Sequence, residues 1–313
     1  MRFAVELWPP GYGPPADDLD GLEPTSAAVD LGVEVAAAKW APLCVDGAEA
    51  AGCVTFVDGV RRIDARVWIT AGQDKTRAGL CASYAAGAVR CDATSGRVEL
   101  ARVRRGLFST AGAEAVLTRA GDYSPLAVGG DGDDELVAGV QQRLRELEIA
   151  VAHAVSGGDL VVIDGPLRGR QQVPGAVGYV KTHRVAYLPP LVADVVAGLR
   201  PGQRTPLFAM TTSWSRFSWY LRLPVGVAGH SGHPWAGVAR LEASADLPVA
   251  EAVALAHRTA ATLPRFASAA YKDPRSPQNL YPIGALEREL RRRLGDPALL
   301  YRMLRAAAAG GGS

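Results

Sequence analysis

The chain has 313 residues, of which 48% are hydrophobic and 21% charged, and its net charge at pH 7 is +2. A chain of this length can bury a large core, in one domain or two, and its near-neutral charge identifies no class of partner. No stretch approaches the ~18 apolar residues of a membrane span, and Cys44, Cys53, Cys81 and Cys91 lack the spacing of a zinc site. We therefore expect a cytoplasmic protein with reduced thiols and no membrane association.

The first 45 residues are predicted to form an N-terminal arm, with a short strand at 2–8 followed by a turn rich in proline and glycine. The rest of the chain, 46–313, is predicted to be a single domain. Its core covers about 46–190 and is completed by 191–305.

A β pattern begins after the arm. Alternating apolar residues predict a strand that reaches Asp58-Gly59, where a turn is expected, and a returning strand over 62–70. Two more strands are predicted over 80–89 and 96–103. Successive antiparallel strands from one edge of a sheet are the simplest arrangement of these segments.

A long amphipathic helix is predicted next, over 135–155. It precedes a short apolar strand, 160–164, which ends on Asp164 and breaks at Gly165-Pro166, as a buried strand does at the edge of a sheet. The apolar stripe of the helix advances by three or four residues through Leu136, Val140, Leu144, Leu147, Val151 and Ala154.

The second half alternates between strand and helix patterns. The strands are predicted at 176–181, 206–211, 218–223 and 237–242, and the helices at 190–199, 248–262 and 283–305. The whole order predicts an α/β protein with a ribonuclease H-like mixed five-stranded sheet flanked by helices, with additional strands and C-terminal helices.

Three acidic residues, Asp58, Glu148 and Asp164, lie where neighbouring strand ends and an adjoining helix can bring them together. Carboxylate oxygens are the ligands that Mg²⁺ and Mn²⁺ prefer. Two such ions roughly 3.5–4 Å apart can promote phosphodiester hydrolysis. The pattern therefore predicts a divalent-metal site and cleavage of nucleic acid, although an aspartate before glycine can also be only a turn residue.

The helix offers two candidate acids, Glu146 and Glu148. They differ by roughly 200° around the helix axis, so only one can face the site. Glu148 follows core-facing Leu147 at the border of the apolar stripe, which favours it as the ligand. Glu146, beside two arginines, remains the alternative.

Basic residues form local clusters that could contact phosphates. Lys181 and His183 are two apart in an extended run and share a face, although a surface histidine is the simpler interpretation of His183. The residues expected to contact nucleic acid are Arg61, Arg168, Arg170, Lys181 and His183.

Two further patterns have mainly structural interpretations. His230 and His233 lack the additional ligands of a zinc site and indicate a flexible loop. An aromatic group could stack nucleic-acid bases, but packing is favoured for its members, which are Trp214, Phe217, Trp219 and Tyr220.

Taken together, five short segments resemble the successive motifs of the NurA nuclease family, in order and spacing, from roughly residue 45 to 305. They are Phe56–Arg62, Leu144–Glu148, Leu160–Leu167, Gly178–Thr182 and Tyr281–Ile283. The resemblance implies a ribonuclease H-like core, Mn²⁺- or Mg²⁺-dependent endonuclease and 5′–3′ exonuclease activity on DNA, and a homodimer. It also implies a HerA-like hexameric ATPase as partner in DNA end resection, repair or phage defence.

By the same resemblance, Asp58, Glu148 and Asp164 are metal ligands, and Lys181 contacts phosphate or stabilises the transition state. Glu287 is the candidate for a last ligand. Two departures leave an alternative open, a catalytically weak homologue that serves as a structural partner of a ring translocase. Val60 stands where the family has serine, and the late motif continues as Gly284-Ala285-Leu286-Glu287. A ribonuclease H-like enzyme acting on RNA or DNA junctions would share the same acids.

Overall fold

A computed structural model describes most of the chain. The predicted strand at 2–8 and the loop with His230 and His233 lie outside the described residues. No described helix combines the length and the apolar character needed to cross a membrane. The described residues are 23–24, 26–70, 76–110, 113–155, 158–183, 185–224, 234–269, 271 and 275–310.

The chain divides into two compact units, and each contains segments distant in sequence. The first unit consists of Met1–Phe56, Arg90–Arg97 and Ser156–Gly284. The second unit consists of Val57–Val89, Val98–Val155 and Ala285–Ser313. The core predicted over 46–190 therefore contributes to both units.

Twelve strands and five α-helices are assigned among the described residues. The strands are β1 (Glu23–Pro24), β2 (Ala28–Asp30), β3 (Val54–Thr70), β4 (Thr76–Cys91), β5 (Gly96–Ser109), β6 (Ser124–Ala127), β7 (Leu160–Asp164), β8 (Ala176–Val180), β9 (Val185–Ala186), β10 (Phe208–Thr211), β11 (Ser215–Arg222) and β12 (Val238–Ser244). The helices are α1 (Asp133–Ala154), α2 (Pro190–Ala197), α3 (Val249–Thr262), α4 (Tyr281–Arg293) and α5 (Pro297–Gly310).

Hydrogen bonding joins ten of these strands into one sheet in the order β2-β10-β11-β12-β8-β7-β3-β4-β5-β6. The sheet is mixed, because β7 and β8 are parallel whereas β11 and β12 are antiparallel. The predicted α/β class is confirmed. The sheet has ten strands, whereas the sequence predicted a five-stranded sheet with additional strands.

The first unit contains the sheet edge that begins at β2, a strand from the segment predicted to be an arm. An aromatic and aliphatic cluster packs there around Trp40, Phe208, Tyr220 and Trp235. The rings of Phe208 and Tyr220 stack with centroids 5.9 Å apart. Of the predicted aromatic group, Phe217, Trp219 and Tyr220 are buried, which confirms the packing interpretation for these three, whereas Trp214 is half-buried.

The interior of the first unit also holds arginine side chains, and their charges are matched by carboxylates or carbonyls. The guanidinium of Arg204 donates to both carboxylate oxygens of Glu34, at 2.6 and 2.8 Å. The carboxylate of Glu242 accepts from Arg216 at 2.9 Å and from Arg240 at 2.6 Å. The buried arginines among the described residues of this unit are Arg170, Arg204, Arg216, Arg222 and Arg240.

In the second unit, β3 runs without interruption through Asp58-Gly59, so the turn predicted at this dipeptide is wrong. The apolar stripe predicted for α1 is confirmed from Leu136 to Val151, all of whose predicted members are buried. Ala154, its last predicted member, is exposed.

The single helix predicted over 283–305 is also wrong, because the chain forms α4 and α5 instead. Gly295, with a φ of 85°, and the proline that begins α5 separate the two helices. The side chains of Arg62 and Arg105 cover the end of α4. They donate to the carbonyl oxygens of Gly295 and Leu294, at 2.8 and 3.0 Å.

Candidate metal centre

Asp164 is the last residue of β7, a strand whose preceding residues are almost completely buried. The strand was predicted with these bounds. It ends where Gly165 adopts a φ of 88°, a left-handed conformation that favours glycine. Asp164 pairs with Tyr179 across the parallel ladder to β8, so the carboxylate lies at the carboxyl end of a central strand pair.

The two oxygens of the Asp164 carboxylate have different environments. Oδ2 accepts a hydrogen bond from Lys181 Nζ at 2.7 Å. Lys181 Nζ also donates to Asn279 Oδ1 at 3.0 Å. Asp164 Oδ1 is buried and has no hydrogen-bond partner among the described residues. A buried carboxylate oxygen without a partner is costly unless a ligand completes it.

Buried charges support the turn that follows Asp164. The backbone N–H of Leu167 donates to Glu242 Oε2 at 3.0 Å, and Glu242 Oε1 accepts from Arg216 and Arg240. Gly178 of β8 passes so close to the turn that a Cβ would collide with the backbone nitrogen of Leu167. The loop after Asp164 is therefore fixed by both hydrogen bonding and packing.

In the second unit, Asp58 lies on β3 and is 7% exposed. Its Oδ1 accepts a hydrogen bond from the N–H of Gly59 at 2.7 Å. Helix α1 passes over Gly59, where a Cβ would collide with the carboxylate of Glu148 and a methyl group of Leu144. The glycine after Asp58 thus permits close approach of the helix, and this brings Glu148 beside the Asp58 segment.

The two helix acids differ in their surroundings. Glu146 is exposed and forms an ion pair with Arg143 at 2.8 Å. Glu148 is half-buried and lies against Gly59. Of the two acids, Glu148 is therefore the one that lies beside the Asp58 segment.

Three carboxylates converge. Oxygen atoms of Asp58, Asp164 and Glu287 all lie within 4.8 Å of one another. Glu148, expected as the third member, is not part of this group, and Glu287, the candidate for a last ligand, is. Glu287 lies on α4, whose Leu286 and Leu290 pack closely on Gly87 of β4.

The residues present fit a hard divalent cation. The donor set consists only of carboxylate oxygens, which Mg²⁺ and Mn²⁺ prefer over softer metals. Clustered like charges repel one another, and a cation offsets this repulsion. The buried Oδ1 of Asp164 supplies a lone pair without a competing donor among the described residues.

Tyr179 belongs to the support of the site. It is fully buried, and its hydroxyl donates to the backbone carbonyl of Gln278 at 2.8 Å. Burial, and next the negative charge of Asp164, raises the pKa of Tyr179 well above its ordinary value. The hydroxyl therefore stays protonated and remains a hydrogen-bond donor.

The residues expected to contact nucleic acid fall into two groups. Arg61 and Arg168 are exposed, and Arg61 Nε donates to the side chain of Gln141 at 2.8 Å. Arg170 is 3% exposed and donates to the carbonyl of Pro166. His183 is 6% exposed, packs against Trp235 and lies 3.0 Å from the carbonyl of Val238. The side chains of Arg170 and His183 are thus buried internal contacts, whereas nucleic-acid contact by the other three remains a prediction.

Sequence reasoning missed one residue that organises the site, Asn279. Asn279 lies two residues before the Tyr281–Ile283 motif segment. The motif marked this part of the chain, but no pattern included Asn279 itself. Arg240 and Glu242 lie two apart on one strand face, a spacing that predicts their ion pair, and this pair is confirmed at 2.6 Å. No pattern in the sequence, however, indicates the bond from the N–H of Leu167 to Glu242.

Comparison of the sequence with protein-family profiles finds no match, and comparison with characterised proteins finds none either. Among solved structures, the chain is similar to the NurA nuclease from Sulfolobus solfataricus, with 11% identity, a TM-score of 0.44, and coverage of 82% of this chain and 84% of the other. It is also similar to the catalytic domain of human Endonuclease V, with 17% identity, a TM-score of 0.32, and coverage of 78% and 83%.

Proposed function

We propose that this protein is a metal-dependent DNA nuclease, a hydrolase that cleaves phosphodiester bonds with Mn²⁺ or Mg²⁺. The observation that carries the proposal is the convergence of Asp58, Asp164 and Glu287 to within 4.8 Å. These acids come from a strand, a second strand and a late helix, so only the folded chain unites them.

In this proposal, Asp58, Asp164 and Glu287 would hold the cation, and Glu148 would add a further carboxylate from α1. The bound cation would supply Lewis-acid stabilisation of charge on a phosphodiester. Lys181, which lies 2.7 Å from Asp164, places a positive charge where a phosphate would bind, and this charge offsets charge that develops during cleavage. The exposed Arg61 and Arg168 would contact the backbone of the DNA.

The five motif segments support a finer assignment within the same proposal. We assign the protein to the NurA type, with strands β5-β4-β3-β7-β8 as a ribonuclease H-like core inside the larger sheet. In this assignment the protein is a cytoplasmic homodimer. Its partner is a HerA-like hexameric ATPase, with which it acts in DNA end resection, repair or phage defence. Cleavage that increases when the ATPase is added would support the partnership.

Cleavage of labelled DNA in Mn²⁺ or Mg²⁺ tests the proposal. Wild-type protein is expected to degrade the DNA. Asp58→Asn and Asp164→Asn are expected to lose about 100-fold or more of the rate, because each removes a charged oxygen from the site. Asp194→Asn, at an exposed position on α2, is the matched control and should cleave normally. Wild-type rates in both site variants, with folding intact, would refute the assignment.

A second function is favoured by Val60, which is 5% exposed and lies two residues after Asp58. Its apolar side chain offers no hydroxyl at a position where the NurA motif has serine. The alternative is a catalytically weak homologue that acts as a structural partner of a ring translocase. Binding of the ATPase without Mn²⁺ binding or DNA cleavage would favour this alternative.

A further inference from the structure

We propose that Asn279 is a positioning residue that, together with Lys181, fixes the Asp164 carboxylate with Oδ1 directed at the cation. This inference rests on the proposed function, because it concerns the same metal centre. It assigns a role to a buried amide that none of the motif segments includes.

The argument begins with the donors of Lys181. A lysine ammonium carries three N–H donors in tetrahedral directions and no acceptor. One donor is directed at Asp164 Oδ2, at 2.7 Å, and another at Asn279 Oδ1, at 3.0 Å. Two fixed acceptors determine the position of an ammonium better than one, so Asn279 restrains the end of a long side chain that has many rotamers of its own.

Asn279 is itself held rigidly. It is 0% exposed, and its backbone N–H donates to the carbonyl of Arg275 at 2.9 Å. The preceding carbonyl, of Gln278, accepts the hydroxyl of buried Tyr179 at 2.8 Å. Tyr179 and Lys181 are two residues apart in an extended chain, so their side chains lie on the same face. Both ends of the contact are therefore fixed by the same pair of segments.

The consequence concerns the orientation of Asp164. The terminal torsion of an aspartate is broad, so packing alone does not determine which oxygen faces a ligand. The bond from Lys181 engages Oδ2 and leaves Oδ1 buried without a partner among the described residues. Without the Asn279 acceptor, the ammonium can shift toward Oδ1 and compete with the cation for it. Residues that orient a metal ligand in this way typically change metal affinity 10–100-fold.

Calorimetric titration of the full chain with Mn²⁺ tests this role independently of catalysis. Asn279→Leu removes the acceptor at similar volume and is expected to weaken Mn²⁺ binding about 10-fold or more. Asn279→Asp keeps an acceptor oxygen and is expected to bind Mn²⁺ at least as well as the wild type. In cleavage assays, Asn279→Leu should lower kcat and leave the KM for DNA unchanged.

Gln278→Leu is the matched control. It replaces the neighbouring amide side chain, which is also buried but whose Oε1 has no hydrogen-bond partner among the described residues. The variant keeps the backbone carbonyl that accepts from Tyr179 and should bind Mn²⁺ like the wild type. If Asn279→Leu fails to fold, Asn279→Ala takes its place, because it removes the acceptor without adding volume. The same loss of Mn²⁺ affinity is expected for it.

The outcomes separate this inference from the proposed function. The role of Asn279 would be overturned if Asn279→Leu bound Mn²⁺ with wild-type affinity, or if Asn279→Asp lost as much Mn²⁺ affinity as Asn279→Leu. Cleavage of DNA by the wild-type protein would still support the proposed nuclease in either case. A wild-type protein that neither bound Mn²⁺ nor cleaved DNA would overturn the proposed function itself.

Discussion

Asp58-Gly59 and Asp164-Gly165 contain the same two residues but are supported in different ways. Gly59 lies inside a continuous strand, and its missing side chain lets α1 approach. Gly165 ends its strand with a left-handed φ of 88°, and no described atom beyond its two chain neighbours lies within 4 Å of the position its Cβ would take. One aspartate is thus positioned by close packing, and the other by a turn.

The residues that surround the two aspartates differ as well. Beyond Asp164, the turn is held by the buried carboxylate of Glu242, which is neutralised by two arginines. Beside Asp58, Gly59 lies against a methyl group of Leu144 and the half-buried carboxylate of Glu148, both from α1. Two aspartates in the same dipeptide are thus preorganised by buried charge in one unit and by steric fit in the other. The two supports should respond differently to mutation.

The largest effect is expected where the charged support is removed. Glu242→Ala leaves two buried guanidinium groups without their carboxylate and should lower the free energy of unfolding by about 3–5 kcal/mol. Denaturant unfolding measures this loss. Glu289→Ala is the control, because Glu289 also accepts from two arginines, but on the surface. An unchanged midpoint in Glu242→Ala would contradict the charged support of the Asp164 turn.

Gly59→Ala tests the steric support. The added methyl group must displace the Glu148 carboxylate, which is the flexible end of a side chain, so catalysis should suffer more than stability. We expect a loss of about 10–100-fold in cleavage rate and about 1 kcal/mol in unfolding free energy. Parallel cleavage and unfolding measurements check the ratio. A variant that loses stability but cleaves normally would show that Glu148 has no part in the reaction.

Glu34 provides a pH test of a charged support away from the site. Burial alone would raise the pKa of Glu34, but hydrogen bonds from Arg204 and from the Leu207 N–H, together with the charge of Arg204, bring it below the ordinary 4.5. Its stabilisation is therefore present above pH 4.5 and is lost as the pH falls through the lower folded-state value. Glu34→Gln should cost about 2 kcal/mol at neutral pH.

Unfolding curves from pH 7 to 3 measure this linkage. The gap in stability between wild type and Glu34→Gln should narrow as the pH falls below 4.5, because protonation removes the same charge from the wild type. A gap that stayed constant over this range would show that the pair contributes no pH-dependent stability.

The smallest effect is expected at the turn glycine. Gly165→Ala meets open space but forces a left-handed conformation on alanine, at a cost of about 1 kcal/mol. Gly202→Ala has the same steric situation, with a φ of 80° and open space, and should cost a similar amount. If the two variants differ by much more than this, the Asp164 turn has a constraint beyond its φ.

Parts of this arrangement were predictable from the sequence. Strand 160–164 and the apolar stripe of α1 were predicted because periodicity is a local property that survives folding. The turn at Asp58-Gly59 was predicted wrongly because an Asp-Gly pair indicates a turn only if the glycine needs a positive φ. Here the glycine instead accommodates a helix that is distant in the chain. No local pattern distinguishes these two uses.

The remaining members of the site could not be predicted because their partners are remote. The bond between Lys181 and Asn279 spans 98 residues, and that between Leu167 and Glu242 spans 75. Periodicity selects the face of a helix but gives no distance between segments. It therefore placed Glu148 on the face of the helix toward the site without showing that Glu287 joins the two aspartates.

The buried arginines of the first unit determine how its interior can respond when one of their hydrogen-bond acceptors is lost. A guanidinium keeps its proton at every physiological pH, whereas a buried lysine can discharge by releasing one. If an acceptor is lost, the positive charge cannot be titrated away, and relief has to come from water entering the core or from local unfolding. Arginine-to-lysine substitution at Arg204 or Arg240 would therefore replace a permanent internal charge with a group that can release its proton and become neutral.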